Sequence, residues 1–211
     1  MVAGPDIDYE RYMSDLARAL NVNTPPAELA SLALSTVHDI QRNVAANTSA
    51  WGDTLYYLAV HGSFYIQCAV AENSSATEKS LDYLSELKDW QVRKRVAAHP
   101  KLPLKVAKRL ARDKVWSIKT ALAENTTLHQ MIYEKLAGCP DVHTRIALAK
   151  NPSVSKTTLK HLATDCIEDV RRAVRDNPNT PPLIRIYLQA DGNFGMTLDE
   201  FLKTAGGDVG A

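Results

Sequence analysis

Residues 92–111 of the 211-residue chain read VRKRVAAHPKLPLKVAKRLA. Val92 and Val96 are four positions apart, which places both on one face of a helix. Pro100 then interrupts the pattern, because proline cannot continue a helix. A second apolar pattern follows and ends at Leu110. The stretch therefore predicts two short helices that are joined by a tight turn.

The same pattern recurs every 26 residues along the chain. Asparagine occupies six of seven equivalent positions, which we call the anchors, and histidine occupies the other. Leucine occupies all seven positions that lie 11 residues after an anchor. A fixed period of this length is the signature of a repeat protein. The anchors are Asn21, Asn47, Asn73, His99, Asn125, Asn151 and Asn177, and the leucines are Leu32, Leu58, Leu84, Leu110, Leu136, Leu162 and Leu188.

Each repeat carries two apolar stripes and is too short to bury them by itself. In the first helix, apolar residues lie seven and three positions before the anchor, as do Ile40 and Val44. In the second helix, leucines such as Leu29 and Leu32 form the stripe. Stacking of successive repeats joins these stripes into one core. We therefore predict an all-α fold, a right-handed α-solenoid of about seven two-helix repeats, in which some second helices are short enough to be 3₁₀.

The sequence also predicts how the helices begin and end. Asparagine tolerates the left-handed backbone conformation, so each anchor is expected to terminate the first helix in that conformation. Thr24-Pro25 and Thr180-Pro181 place a hydroxyl before a proline, which predicts that the threonine caps the second helix and that the proline is its first residue. Thr197 and Glu200 have the spacing of a capping box, which predicts a short final helix.

These predictions divide the chain into three parts. Residues 11–190 are expected to form a single solenoid domain. Residues 1–10 are expected to be an N-terminal tail, and residues 191–211 a C-terminal cap with a flexible tail from Gly206 onward.

The repeat pattern Val-Arg-x-x-Val-Ala-x-x-Pro-x-x-Pro-x-x-x-x-x-x-Leu-Ala resembles that of the variant leucine-rich repeat proteins, which form HEAT-like α-solenoids. The resemblance implies alternating α- and 3₁₀-helices over about residues 11–190. The family has no common activity, so the resemblance implies little about function. No cysteine precedes Cys68, so the N-terminal iron–sulfur module of some relatives is not expected. The pattern is carried by Val92, Arg93, Val96, Ala97, His99, Pro100, Pro103, Leu110 and Ala111, and again by Val170, Arg171, Ala173, Val174, Asn177, Pro178, Thr180, Pro181 and Leu188.

The first three repeats depart from this pattern. Asp15, Gln41 and Gln67 occupy the position of the arginine, and the repeats of Asn47 and Asn73 lack the proline. We therefore expect the N-terminal third to be less regular than the rest.

Charge is distributed unevenly along the chain, although the formal net charge is only +1. Residues 1–87 contain 11 acidic and 4 basic side chains, whereas residues 88–190 contain 20 basic and 9 acidic side chains. An imbalance of this kind favours association of the basic half with anionic partners.

Equivalent positions of successive repeats form columns in a solenoid, spaced about 10 Å apart. The position six residues before the anchor, which we call the minus-six column, is basic in the last four repeats, and Lys94 and Arg172 adjoin it. Two interpretations remain open: a surface for phosphates or for an acidic protein, or ion pairs with Asp89, Asp141 and Asp169. Lys94, Arg95, Arg172 and a second cluster of cations have too few acidic neighbours for ion pairs. For these residues, the alternative to a binding surface is an ordinary solvent-exposed face of a helix. The basic members of the column are Arg93, Lys119, Arg145 and Arg171, and the second cluster is Lys105, Lys108, Arg109, Arg112 and Lys114.

Trp90 and Trp116 lie nine residues before their anchors. One interpretation places Trp90 near Lys94 and Trp116 near Thr120, on the face opposite the core stripe, where aromatic side chains beside cations stack on a base or on a peptide. In the other interpretation, which we call the plug, each tryptophan lies in the connecting turn and fills the gap between repeats, since tryptophan is usually buried over most of its surface.

We predict a non-enzymatic binding module that uses the basic half to bind an acidic macromolecule. A protein partner is favoured over nucleic acid, because the acidic N-terminal third would repel a long duplex. No catalytic residue, metal site or cofactor is expected, since the histidines have no metal spacing and no glycine-rich phosphate loop occurs. The candidate binding residues are Arg93, Lys94, Lys119, Arg145, Arg171, Arg172, Trp90 and Trp116.

An alternative is a DNA-binding or DNA-repair protein, because HEAT-like solenoids with a basic face also serve as alkylpurine glycosylases. That activity would need a carboxylate beside aromatic residues, for which Asp89 or Asp113 with the two tryptophans are the candidates. A scaffold that self-associates through its oppositely charged ends is a third possibility, and the oligomeric state stays open.

With three scattered cysteines and no run of 18 apolar residues, we expect a cytoplasmic protein that does not engage a membrane.

Overall fold

The computed structural model describes residues 8–190 and 195–206, and every regular element in these ranges is an α-helix. The predicted all-α fold of two-helix repeats is thereby confirmed. The helices are α1 (Tyr9–Leu20), α2 (Pro26–Leu32), α3 (His38–Ala46), α4 (Gly52–His61), α5 (Phe64–Glu72), α6 (Glu78–Leu84), α7 (Trp90–Ala97), α8 (Leu104–Leu110), α9 (Trp116–Glu124), α10 (Gln130–Ala137), α11 (Val142–Lys150), α12 (Lys156–Leu162), α13 (Glu168–Asp176), α14 (Pro182–Gln189) and α15 (Leu198–Thr204).

The helices belong to two compact units, one that ends at Pro103 and one that begins at Leu104. In the first unit, the first helices of successive repeats, α1, α3, α5 and α7, each pack against the next. In the second unit, α9, α11 and α13 pack in the same order, and the second helices α10 and α12 contact each other. Within each unit, the repeats therefore stack as predicted.

The core of each unit consists of the residues that the repeat pattern singles out. All seven repeated leucines are buried, and the least buried of them, Leu32 and Leu188, are 7% exposed. The apolar residues seven and three positions before the anchors, such as Val92 and Val96, are also buried. Burying a leucine or valine side chain contributes roughly 1.5–3 kcal/mol. Because every repeat supplies the leucine and most supply the two apolar residues of the first helix, the stripes merge into one core within a unit.

The second helices are α-helical, so the 3₁₀ conformation implied by the resemblance is not found among the described residues. The amide of Leu29 donates to the carbonyl oxygen of Pro25, and that of Leu159 to the oxygen of Ser155, four residues earlier in each case. Even the shortest second helices contain seven residues. That length holds nearly two α-helical turns, so the tighter 3₁₀ winding is not needed.

The anchor asparagines do not adopt the left-handed conformation that we expected. Asn47, for example, has φ −75° and ψ 120°, which is extended backbone. Its side-chain nitrogen donates to the carbonyl oxygens of Ala19 and Asn21 in the preceding repeat, at 2.9 Å in each case. Its side-chain oxygen accepts from the amide of Ser49. The anchor is therefore a bridge between repeats and not a left-handed helix cap.

The predicted role of the threonines before Pro25 and Pro181 is also wrong. The hydroxyl of Thr24 donates back to the carbonyl oxygen of Arg18 in the first helix, and Thr180 does the same to Val174. The second helices begin at Pro26 and Pro182, one residue later than predicted, and Pro25 and Pro181 precede them as N-caps. The hydroxyl satisfies a carbonyl at the end of α1 or α13, where helices lack internal partners.

Both ends of the repeat array are regular. Asn47 and Asn73 form the same inter-repeat bonds as the C-terminal anchors, so the expected irregularity of the N-terminal third is not observed. The predicted final helix is α15, and Thr197 and Glu200 form the expected capping box. Residues 1–7 of the predicted N-terminal tail, and residues 191–194 and 207–211 of the predicted C-terminal cap and tail, lie outside the described residues.

Candidate functional site

The long polar side chains of the minus-six column reach back to carbonyl oxygens at or beyond the end of the preceding second helix. Gln41 donates to the carbonyl oxygen of Ala33 at 3.1 Å, and Arg145 donates to that of Cys139 at 2.8 Å. These bonds satisfy carbonyls that have no partner within the helix. The arginines and glutamines therefore share one structural role, despite their different charge. The same bond joins Gln67 to Ala59, Arg93 to Leu87 and Arg171 to Asp165.

The three carboxylates expected to form an ion-pair ladder have other partners. Asp89 accepts from the backbone amide of Gln91, and Asp141 from that of Thr144, so both cap the first helices that follow them. Asp169 pairs with Arg172 at 3.2 Å. The proposed ladder is wrong, because Asp89 and Asp141 lie just before helices and cap them, and Asp169 lies within α13 and pairs with Arg172 of the same helix.

Arg145 instead forms an ion pair with Asp165, at the equivalent turn of the next repeat. The guanidinium Nε lies 2.6 Å from one carboxylate oxygen, and a second bond of 3.2 Å makes the pair bidentate. Their side chains are only 12% and 9% exposed. Burial alone would raise the pKa of Asp165, but the hydrogen bonds from Arg145 and from the amide of Ile167 outweigh burial and lower that pKa. The charge of Arg145 is thus neutralised within the chain.

Arg171 and Arg172 line a groove of about 380 Å³ in the second unit, together with Arg175 and Tyr187. Acidic side chains occur in and beside this groove. Arg172 pairs with Glu168 at 2.7 Å, and Arg175 pairs with an adjacent carboxylate. The groove is therefore mixed in charge.

The two tryptophans are the first residues of α7 and α9, and each is partly exposed. Trp90 is 43% exposed and Trp116 is 46% exposed. Neither is enclosed in the way that a plug between repeats would be. The ammonium group of Lys119 lies over the indole of Trp116, 4.4 Å from its centroid, which is a cation–π arrangement. In the first unit, Lys94 is exposed one turn after Trp90.

A basic cluster, which we define as Arg112, Lys119 and Lys135, adjoins Trp116 in the second unit. Burial, and then the positive charges of Arg112 and Lys119, lower the pKa of Lys135. In the described part of the chain, none of the three side chains forms an ion pair. The sequence analysis singled out Arg112 and Lys119 but missed Lys135, which belongs neither to the minus-six column nor to the second cluster.

The carboxylates considered for DNA repair both bind backbone amides. Asp89 accepts from Gln91 at 2.7 Å, and Asp113 accepts from Val115 at 2.9 Å.

Among the described residues, no three His, Cys, Asp or Glu side chains are grouped as ligands of a metal ion. No helix in these ranges is long and apolar enough to cross a membrane.

Comparison with known proteins supports the fold. No family model matches the sequence, and no curated protein matches it. One solved structure is similar, described as a leucine-rich repeat variant with a novel repetitive protein structural motif. The match has a TM-score of 0.55 and 18% sequence identity, and it covers 80% of this chain and 72% of that chain. The resemblance to variant leucine-rich repeat proteins is therefore confirmed as a likeness of fold, and the chain is a helical-repeat protein.

Proposed function

We propose that this chain is a non-enzymatic binding module whose basic C-terminal half binds an acidic segment of a protein partner. A helical-repeat fold is suited to a scaffold or binding role, because stacked repeats present extended surfaces. The observation that carries the proposal is Lys119 of the second unit, which pairs with no carboxylate of the described residues and lies over the ring of the exposed Trp116.

The candidate residues differ in how well they support this function. Within residues 8–190 and 195–206, no carboxylate forms an ion pair with Lys94 or Lys119. Arg145 is buried against Asp165, and Arg171 holds a backbone carbonyl, so both stabilise the fold. Binding should therefore depend on the two lysines more than on those arginines.

The test uses a fluorescein-labelled, glutamate-rich peptide as the probe, and fluorescence anisotropy as the measurement. The variant Lys119→Glu should weaken binding about tenfold at low salt, since a like charge then faces the probe. The control is Lys156→Glu, which makes the same change in net charge at an exposed lysine that pairs with no carboxylate of the described residues. Equal binding by the two variants, or no binding of the probe by the unmodified chain, contradicts the proposal.

A further inference from the structure

Two cavities on the first helices of the first unit share the side chains of Arg42 and Tyr65. The larger, of about 560 Å³, extends over α3, α5 and α7, and the smaller, of about 250 Å³, lies between α3 and the start of α5. We call the two together the first-unit groove. The larger cavity by itself has the size of a ligand-binding cleft, which is typically about 300–1,000 Å³. It is also lined by Phe64, Cys68, Ala69, Glu72 and Arg95, and the smaller cavity by Asp39.

The larger cavity exists because α5 presents short side chains between longer ones. Cys68 occupies the repeat position that Arg42 has on α3, and Ala69 occupies the position that Arg95 has on α7. Burial raises the pKa of the Cys68 thiol, so the thiol is protonated at neutral pH and behaves as a small apolar group. The base of the larger cavity is therefore apolar, and a long side chain stands on each side of it.

Arg42 is the cation of this groove that has no carboxylate partner. It is exposed, and it forms no ion pair within residues 8–190 and 195–206. Arg95, contrary to the expectation from the sequence, pairs with Glu72 at 2.7 Å, so the charges on that side of the larger cavity cancel. Asp39 lines the smaller cavity and adds a negative charge there. The groove therefore favours one negative charge at Arg42 and disfavours a run of them.

Tyr65 lies where the two cavities meet and offers an aromatic surface to a ligand. It is 70% exposed, and its ring lies 5.2 Å from that of Phe64 in an edge-to-face arrangement. Aromatic rings of this kind provide a large contact area at a low cost in conformational entropy. An apolar side chain in the larger cavity contacts these rings, and a carboxylate on the neighbouring residue, about 3.8 Å further along the ligand backbone, is within reach of Arg42.

We propose that the first-unit groove binds an extended segment of a protein partner, in which an apolar residue fills the larger cavity and an adjacent glutamate or aspartate pairs with Arg42. A bond between a guanidinium and a carboxylate is charge-assisted and therefore strong. A segment of chain continues past Arg42 and Tyr65 into the smaller cavity, which a small carboxylic acid does not fill. The site does not involve Lys119, so it is additional to the proposed binding of an acidic segment by the second unit.

The probes are short peptides in which phenylalanine or leucine adjoins one glutamate, in both orders, between glycine and serine residues. Their ends are acetylated and amidated, so the glutamate carries the only negative charge. Isothermal titration calorimetry at low salt measures binding without a dye. Replacing the apolar residue of the best probe by alanine, or its glutamate by glutamine, should each weaken binding about tenfold, as expected for a packed side chain and a charge-assisted bond.

Three variants of the chain test the groove itself. Arg42→Glu reverses the unpaired charge, Ala69→Leu fills the larger cavity without changing the charge, and Tyr65→Ala removes the aromatic surface. Each should weaken binding about tenfold or more. Lys88→Glu makes the same charge change at an exposed residue of the first unit, and Tyr9→Ala removes a tyrosine that is also 70% exposed. Neither control residue lines the groove, so both controls should bind the best probe as the unmodified chain does.

The opposite results overturn the inference. Equal binding by Arg42→Glu and Lys88→Glu, or by Ala69→Leu and the unmodified chain, places the peptide elsewhere. If 3-phenylpropionate binds as tightly as the best probe, the groove is a site for small carboxylic acids and the protein partner is wrong. If no probe binds, the groove is not a site for such a segment. Circular dichroism of each variant establishes that it is folded.

The variant Lys119→Glu separates this inference from the proposed function. It should leave the binding of the best probe unchanged, and a loss of binding shows that the probe uses the surface beside Trp116 and overturns the first-unit site. If the first-unit site fails while a glutamate-rich peptide still binds through Lys119, the proposed function stands.

Discussion

The side-chain amide of Asn177 donates to the backbone carbonyl oxygen of Asn151 at 3.0 Å, and these two residues are the anchors of consecutive repeats. A second bond of 2.7 Å joins the same amide to Ala149. Asn177 therefore satisfies two backbone acceptors of the repeat before it, and Asn47, Asn73 and Asn151 do the same. Since these groups are buried, the bonds replace water as well as linking neighbouring repeats. This relationship explains why asparagine recurs with the period of the repeat.

Replacing Asn151 by alanine should destabilise the protein by about 3 kcal/mol, because buried carbonyl groups of Ala123 and Asn125 lose a donor. The midpoint of urea denaturation, followed by circular dichroism, measures the effect. Asn21→Ala is the matched control. Asn21 is exposed, and among the described residues its side chain bonds to the amide of Asn23 and to no other repeat, so this change should have a much smaller effect. Equal effects at the two positions would argue against the inter-repeat bridge.

His99 should make stability depend on pH between its folded-state pKa and its ordinary value of 6.5. Its Nε2 bonds to the carbonyl oxygen of Asn73, and its Nδ1 accepts from the amide of Lys101, which requires the neutral ring. Burial, more than the charge of Lys101, lowers the pKa. In this window the unfolded chain binds more protons than the folded chain, so stability falls as the pH is lowered.

His99→Asn should remove this part of the pH dependence, because an asparagine amide makes the same bridge at the other anchors without titrating. Thermal denaturation of both proteins at several pH values between about 5 and 8 tests this, since histidine titrates there. At the upper end, the variant should be at least as stable as the unmodified protein. An unchanged slope in the variant would show that another group causes the pH dependence.

Asp165→Asn should destabilise the protein by about 3 kcal/mol, because it leaves the charge of Arg145 buried without its partner. The lowered pKa of Asp165 also means that its stabilising effect is present above the ordinary value of 3.8 and is lost as the pH falls through the lower folded-state pKa. Asp199→Asn is the control, because Asp199 forms an exposed pair with Lys160. Chemical denaturation should detect little change in that control; a small effect of Asp165→Asn would contradict this account of the pair.

Lys135→Gln should raise stability slightly, by about half a kcal/mol at low ionic strength, because it relieves repulsion from Arg112 and Lys119. The gain should shrink as salt is added, since salt screens charges near the surface. Differential scanning calorimetry at two salt concentrations measures both effects, and Lys156→Gln provides the comparison. A loss of stability in Lys135→Gln would mean that Lys135 makes favourable contacts and that the cluster is not strained.

The candidate site was predictable only in part. Trp116 and Lys119 lie on one helix, so their spacing alone places them near each other. Lys135 belongs to α10, and only the packing of α9 against α10 brings it close. The ion pair of Arg145 could not be predicted from the sequence either, because its partner Asp165 lies 20 residues away, at the turn that leads to the next repeat. Sequence spacing reveals neighbours within a helix, whereas contacts between helices depend on side-chain reach and packing.

What the sequence determined by itself is the two-helix repeat and its buried leucines. Apolar residues at helical spacing can be hidden only if successive repeats stack, so the period of 26 residues dictates the core. The tertiary structure alone decided what the polar residues do. The side chains of asparagine, threonine and arginine can each form hydrogen bonds with several kinds of partner at similar energy. Which partner is used depends on which unsatisfied group lies nearest, and that is known only once the helices are packed. For that reason the anchor asparagines proved to link consecutive repeats, and Arg93, Arg145 and Arg171 proved to hold backbone carbonyl oxygens.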